Sequence, residues 1–273
     1  MALPINFHRS FKPERVYVGR VLRYAALGRQ GTIQEIADET GIPTGASSGK
    51  VAPTLDYATA MGLVEAMAGN GGLRKPSLTS FGMAVYSNDP NLGLDLTQWL
   101  AHMNLCRRDI GAAAWHAVFA EGRSQLGSSF SKARLEGYLV ERFGAGNRRT
   151  GPLITTYSDD DALGKTKALL EEGDRLIRKK APVLDSYALG YSAMILTLME
   201  SFFPKDGQVA LSDFCQGTGW ADICLWDQPD LERALSVIER KGQIAVDRHR
   251  RPWILEKRAG AADVWPTIYD DID

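Results

Sequence analysis

One stretch constrains the fold more than any other: residues 32–78, TIQEIADETGIPTGASSGKVAPTLDYATAMGLVEAMAGNGGLRKPSL. Thr32 and Glu35 are spaced as a capping box, in which the hydroxyl accepts one orphan N–H and the carboxylate returns to the cap's own N–H. Ile33, Ile36 and Ala37 give the helix that follows one apolar face. Gly41 stops it, because glycine reaches the left-handed conformation cheaply. Pro43 and Gly45 turn the chain, and Ser47 or Ser48 caps a second helix lined by Val51, Leu55, Ala58 and Met61. Pro53 is tolerated only in a first turn, so that helix starts late. Leu63–Met67 and Leu73–Leu78 are short apolar runs separated by Gly69-Asn70-Gly71-Gly72, a hairpin signal. Helix, turn, helix and hairpin make a winged helix, an arrangement that specifies a fold and leaves the function open.

The rest of the chain is read against that module. Pro13 opens a helix bearing Val16, Val18, Val21, Leu22 and Ala25 that runs to about Leu27 and is ended by Gly28 with Gly31, the first helix of the winged module. Thr79 starts another, which stops at Asn88-Asp89-Pro90. Asp95 and Gln98 are spaced as a second capping box ahead of a long helical pattern, broken near Asp109-Ile110-Gly111. Phe130, Ser131 and Leu135 are spaced as a staple and cap for a helix to Phe143. Gly144–Pro152 is the linker candidate. Ser158 with Asp159, Asp160 and Asp161 predicts a helix to about Lys180, with acidic residues at its start and Arg178-Lys179-Lys180 at its end. A strongly apolar helix follows Pro182. Asp227 and Asp230 then open a helix that Gly242 stops, and strands at 243–247 and 252–257 flank Arg248-His249-Arg250-Arg251. This repeats the opening logic. The expected fold is mainly α with small β wings: two winged-helix-like modules joined by a helical middle region, divided as 1–92, 93–150 and 151–273. The tail docks through Trp265 and Tyr269 or stays mobile.

Composition narrows the function classes. Of 273 residues, 44% are apolar and 24% charged, enough to bury a real core. The net charge is −1, so any nucleic-acid contact must come from local patches. Cys106, Cys215 and Cys224 form no C-x-x-C pair, and they read as reduced thiols of a cytoplasmic protein. The start MALPINFHRSF has no apolar signal region and no run of eighteen apolar residues occurs, so no membrane partner is expected. Gly45–Lys50 departs from a phosphate-binding loop in spacing and lacks a hydroxyl after the lysine. Asp159–Asp161 point in different directions on a helix and read as caps rather than a metal site. His8, His102, His116 and His249 have no metal spacing, and His102 and His116 read as core or groove residues. No nucleophile motif appears. The expectation is therefore a non-enzyme with no catalytic residue, metal or cofactor.

The basic and hydroxyl groups near the helix-turn-helix and the wings carry the binding hypothesis. In the first module these are Ser47, Ser48, Lys50, Thr54, Arg74 and Lys75; in the second, Arg248, His249, Arg250, Arg251 and Lys257. Cations at a wing reach phosphates or a narrow minor groove of double-stranded DNA. Arg107-Arg108 and Arg148-Arg149 read as surface charge or a partner contact. A rival reading is a docking scaffold, with Trp220 and Trp226 as anchors for protein partners; a homo-oligomer is compatible with either.

Several short motifs share an order with a known family: F-H-x-S-F (Phe7, His8, Ser10, Phe11), Y-A-x-x-M-G-L (Tyr57–Leu63), L-T-x-F-G (Leu78–Gly82), Asp89-Pro90, W-L-x-H (Trp99–His102) and W-x-x-x-F (Trp115–Phe119). In these the chain resembles the bacterial domain-of-unknown-function 4007 family, most clearly from Phe7 to Phe119. The resemblance implies a cytoplasmic bacterial protein encoded near DNA-sulfur-modification or phage-defence genes. It implies no established catalytic residue, so none is carried over.

Overall fold

A computed structural model describes residues 2–45, 49–68, 72–146 and 150–272, with backbone alone at 66–68. The chain is mainly helical with small antiparallel sheets. It forms two compact units, Met1–Lys179 and Lys180–Asp273. Among the described residues, no helix is long and apolar enough to cross a membrane.

The first unit opens with the expected order of three helices and a hairpin. Helix α1 (Arg15–Ala26) buries Val18, Val21, Leu22 and Ala25. Helix α2 (Ile33–Thr40) starts on a complete Thr32/Glu35 capping box and ends at Gly41 in the left-handed region. Helix α3 (Val51–Ala60) follows, with Pro53 inside its first turn. Strands β1 (Val64–Ala68) and β2 (Arg74–Leu78) pair antiparallel, Val64 against Leu78 and Ala68 against Arg74. Gly31 bridges Arg74, so the strand that many winged helices place between their first two helices is here a single bridge. Helix α4 (Ser80–Asn88) is capped by the Thr79 hydroxyl. A Cβ on Gly82 would collide with the Leu63 carbonyl, so this helix packs on the hairpin only because the side chain is absent.

The middle of the unit is less purely helical than its sequence suggests. Helix α5 (Asp95–Leu105) is buried along nearly its whole length. Its predicted capping box does not form: Asp95 is the first helical residue, and Gln98 instead donates to the Leu92 carbonyl and accepts from the Lys165 N–H. Helix α6 (Ala113–Trp115) continues as a π-helical turn, His116–Glu121, and α7 (Arg123–Leu126). Strand β3 (Ser129–Ser131) leads into α8 (Lys132–Phe143), capped by Ser131 as expected, and α9 (Gly151–Ser158). The helix predicted from Ser158 to Lys180 is absent. A 3-10 turn and a hairpin of β4 (Leu169–Glu172) and β5 (Arg175–Arg178) take its place. Glu172 pairs with Arg175 across Gly173-Asp174, and Gly173 adopts φ 64°, which that two-residue turn demands. The sheet order is β3-β5-β4. The segment thus runs strand, two helices and hairpin, with the last strand central in the sheet.

The second unit is built on α10 (Ala188–Phe202), buried without a break from Ala188 to Leu196. A helix apolar all round belongs inside a core, and each of its large aliphatic side chains contributes about 1.5–3 kcal/mol of burial. Strand β6 (Gln208–Ala210), helices α11 (Leu211–Thr218), α12 (Trp220–Ile223) and α13 (Gln228–Glu239), and strands β7 (Ile244–Asp247) and β8 (Ile254–Lys257) follow. The sheet order β6-β8-β7 again places the last strand centrally. Helix α14 (Ala261–Val264) and the tail complete the core, and the tail docks through Trp265, whose Nε1 donates to Thr197 Oγ1 at 3.0 Å.

Candidate nucleic-acid interface

The wing of the second unit is the tip between β7 and β8, closed by the pair Asp247–Ile254. Arg248, His249, Arg250 and Arg251 are all exposed on it. Glu239, at the end of α13, organises one side. Its Oε1 accepts from the Val246 N–H at 2.7 Å, and its Oε2 lies 2.5 Å from the Arg248 guanidinium. Arg248 and Arg251 both lie over the Trp253 ring, at 5.2 and 5.4 Å from its centroid. The His249 N–H donates to Asp247 Oδ1 at 2.8 Å, which holds the turn. Lys257, on β8, sits 3.9 Å from the Glu200 carboxylate and so carries a partly balanced charge. Helix α13, which precedes the hairpin, carries Asp230, Glu232 and Glu239 against Arg233 alone. Arg233 is itself paired with Asp230 at 2.9 Å. Cationic character in this module is therefore concentrated at the wing.

The first module is organised differently. The α3 residues Val51, Pro53, Thr54, Leu55, Tyr57, Ala58 and Ala60 are buried, and no cation stands on this helix. Thr54 donates its hydroxyl to the Lys50 carbonyl at 2.7 Å and is itself buried, which corrects its assignment to DNA. Lys50 pairs with Glu14 at 2.5 Å and lies over the Phe11 and Tyr17 rings, so it fastens the N-terminal segment to α3. Ser47 and Ser48 lie outside the described residues, as do Arg148 and Arg149. Arg74 and Lys75 are exposed at the start of β2. Burial pushes the Asp56 carboxyl up, and nearby Arg74 and Arg9 pull it the other way.

Three further expectations change. Trp220 and Trp226 are 1% and 2% exposed, edge to face at 4.9 Å, and Trp226 Nε1 donates to the Ala181 carbonyl at 2.8 Å. They are core residues and offer no anchor to a partner. Arg107 is buried and held by Asp109 and Asn104 rather than lying on the surface. The Asp159–Asp161 run starts no helix: Asp159 closes the C-terminus of α9, Asp159 and Asp161 bind the Lys12 ammonium at 2.5 and 2.6 Å, and the Asp161 carbonyl accepts from the Arg15 N–H at the start of α1.

The motifs behind the family resemblance meet in the core. Phe7, Tyr57 and Trp115 pack edge to face, with Phe7–Tyr57 centroids at 4.7 Å and Tyr57–Trp115 at 6.0 Å. His102 is fully buried against Trp99, Phe119 and Tyr157, and its Nδ1 lies 2.7 Å from the Tyr157 hydroxyl. Cys106 Sγ is 3.6 Å from the same nitrogen, and burial pushes its thiol well above the usual range. Burial likewise pushes Cys215 up to about 12, so neither thiol is held as a nucleophilic thiolate. These motifs describe packing, not chemistry. Among the described residues no group of three or more His, Cys, Asp or Glu gathers to hold a metal.

One basic surface was missed. Arg20, Arg23 and Arg29 line a groove of about 510 Å³ with Tyr24 and Leu27. Arg20 donates to the Thr40 and Gly41 carbonyls at 3.2 and 2.8 Å, satisfying the end of α2, and Arg29 pairs with Glu39. The i, i+3 spacing of Arg20 and Arg23 on α1 was the available signal.

No family model and no curated protein matches the chain. Two solved structures do, each over 97% of this chain and 88% of its own: an SspB crystal structure, TM-score 0.68 at 15% identity, and a magnesium ion-bound SspB crystal structure, TM-score 0.65 at 14% identity. At that identity the likeness establishes the fold, and in fold this chain is similar to SspB.

Proposed function

We propose that this chain is a cytoplasmic, non-enzymatic double-stranded-DNA-binding protein, a regulator or DNA-recognition subunit of a bacterial DNA-modification or phage-defence system. The observation that carries the reading is the wing of the second unit, where Arg248, Arg250 and Arg251 stand exposed on a tip braced by Glu239 and Trp253. An arginine-rich hairpin of this kind suits phosphates or a narrow minor groove. The SspB-like fold accords with a DNA-modification setting. The test is a salt-titrated duplex-binding assay by fluorescence anisotropy. Affinity falls steeply with salt through counterion release, and charge reversal at the three arginines weakens every duplex alike. Undetectable binding at low salt overturns the proposal.

A second reading, a scaffold that docks partner proteins of such a system through its winged-helix surfaces, is favoured by the acidic α13. Co-purification of a stable partner, insensitive to nuclease and to the arginine changes, would select it.

A further inference from the structure

Behind the wing tip lies a groove of about 310 Å³, formed within the second unit by α11, the start of α13 and the end of the wing. Trp226 and Leu231 form its buried floor, Asp227 and Gln228 its polar rim, and Arg251 and Trp253 its outer wall. We propose that this groove receives a single unstacked nucleobase, which stacks against Trp253 while Arg251 meets the adjoining phosphate. The inference rests on the reading that this wing meets DNA, and it names what the wing recognises there.

Three observations favour a base over a phosphate in the groove. Its volume stands at the small end for ligand pockets, which run from about 300 to 1,000 Å³, and suits one ring system. Its wall holds an aromatic ring that is only half-buried and carries cations above it, the combination that single-strand binders use for stacking. Its rim holds hydrogen-bond acceptors: the Asp227 carboxylate, whose charge Lys180 balances at 2.7 Å, and the Gln228 amide oxygen. These acceptors suit the exocyclic amine of a base and offer a phosphate oxygen no donor of their own. The acceptor rim and the positive wall thus sort the two ends of a nucleotide. The two arginines also differ. Arg248 is held by Glu239, whereas Arg251 is exposed on the groove side, where its guanidinium can yield the ring face to a base.

The test measures anisotropy of the full-length protein on three labelled duplexes of otherwise identical sequence: fully paired, with one bulged base, and with an abasic bulge. The bulged base should bind about five- to 150-fold more tightly than the paired duplex, the span of one base–aromatic stack. The abasic bulge should lose that gain. Trp253→Ala should bring the bulged-to-paired affinity ratio down to one, whatever it does to the paired duplex itself, and Trp253→Phe should retain most of the ratio, so loss of stacking is read separately from loss of the wing's hold on the arginines. Equal binding of paired and bulged duplex, or of bulged and abasic duplex, overturns this inference and leaves the proposed function standing. Absence of binding to all three overturns both.

Discussion

Arg250 and Arg248 are neighbours in sequence but not in charge. Arg250 is exposed at the wing tip, and replacing it with alanine removes one cation and little else. Arg248 lies 2.5 Å from Glu239, with both side chains about a third exposed or less, so much of its field is already balanced. Each phosphate neutralised adds about 0.9 to the slope of log affinity against log salt. If Arg250 makes one such contact, Arg250→Ala lowers the slope by about 1. Over a fourfold rise in salt, one contact is worth roughly three- to fourfold in affinity. Arg248→Ala should lower the slope by clearly less. It should instead lower the melting temperature, because it removes a partly exposed pair worth about 0.5–1 kcal/mol after solvent screening. The assay is anisotropy at several salt concentrations on two or more unrelated duplexes, with thermal melts of each variant alongside. Equal slope changes for the two variants would refute the reasoning, as would an Arg250 variant indistinguishable from the parent.

Trp226→Ala should cost about 3–5 kcal/mol in urea unfolding, since it empties a fully buried site and orphans the Ala181 carbonyl, whereas Trp226→Phe should cost less. Gly173→Ala places a Cβ at φ 64° and should cost about 1–2 kcal/mol although nothing crowds the site, and no measurable loss would contradict the left-handed turn. Lys180 lowers the Asp227 carboxyl from its ordinary 3.8 to about 2, so its stabilisation is complete above about pH 4 and is lost as pH falls through about 2. Asp227→Asn keeps a cap but not the charge. It should be less stable near neutrality and show a flatter decline with acid, and parallel pH curves would exclude this linkage.

The sequence was most legible where local chemistry and tertiary demand agreed. Thr32 with Glu35, Gly41, Ser131 and Gly242 each mark a boundary by a backbone requirement that no distant contact alters. The middle region failed for the converse reason. Residues 158–180 begin with acidic residues and end with basic ones, with Ala, Leu, Lys and Glu between, and each favours a helix on its own. Only the dipeptide Gly173-Asp174 signalled the hairpin, and pairing with β3, some forty residues upstream, decided the outcome. The Asp159–Asp161 run misled in the same way, because Lys12 lies far off in sequence. The site divides likewise: the wing arginines were visible as a cluster, but the burial of Thr54, Trp220 and Trp226 depends on packing that composition does not reveal. Trp253 escaped notice because a lone tryptophan in a short strand has no pattern around it.

Among the described residues the strands are short, three to five residues each, in all three sheets. A strand at the margin of a sheet exposes a row of unpaired backbone donors and acceptors, and long margins invite another chain to pair with them. Here each margin offers only a few such groups. Short margins of this kind disfavour the edge-to-edge pairing that builds extended sheets.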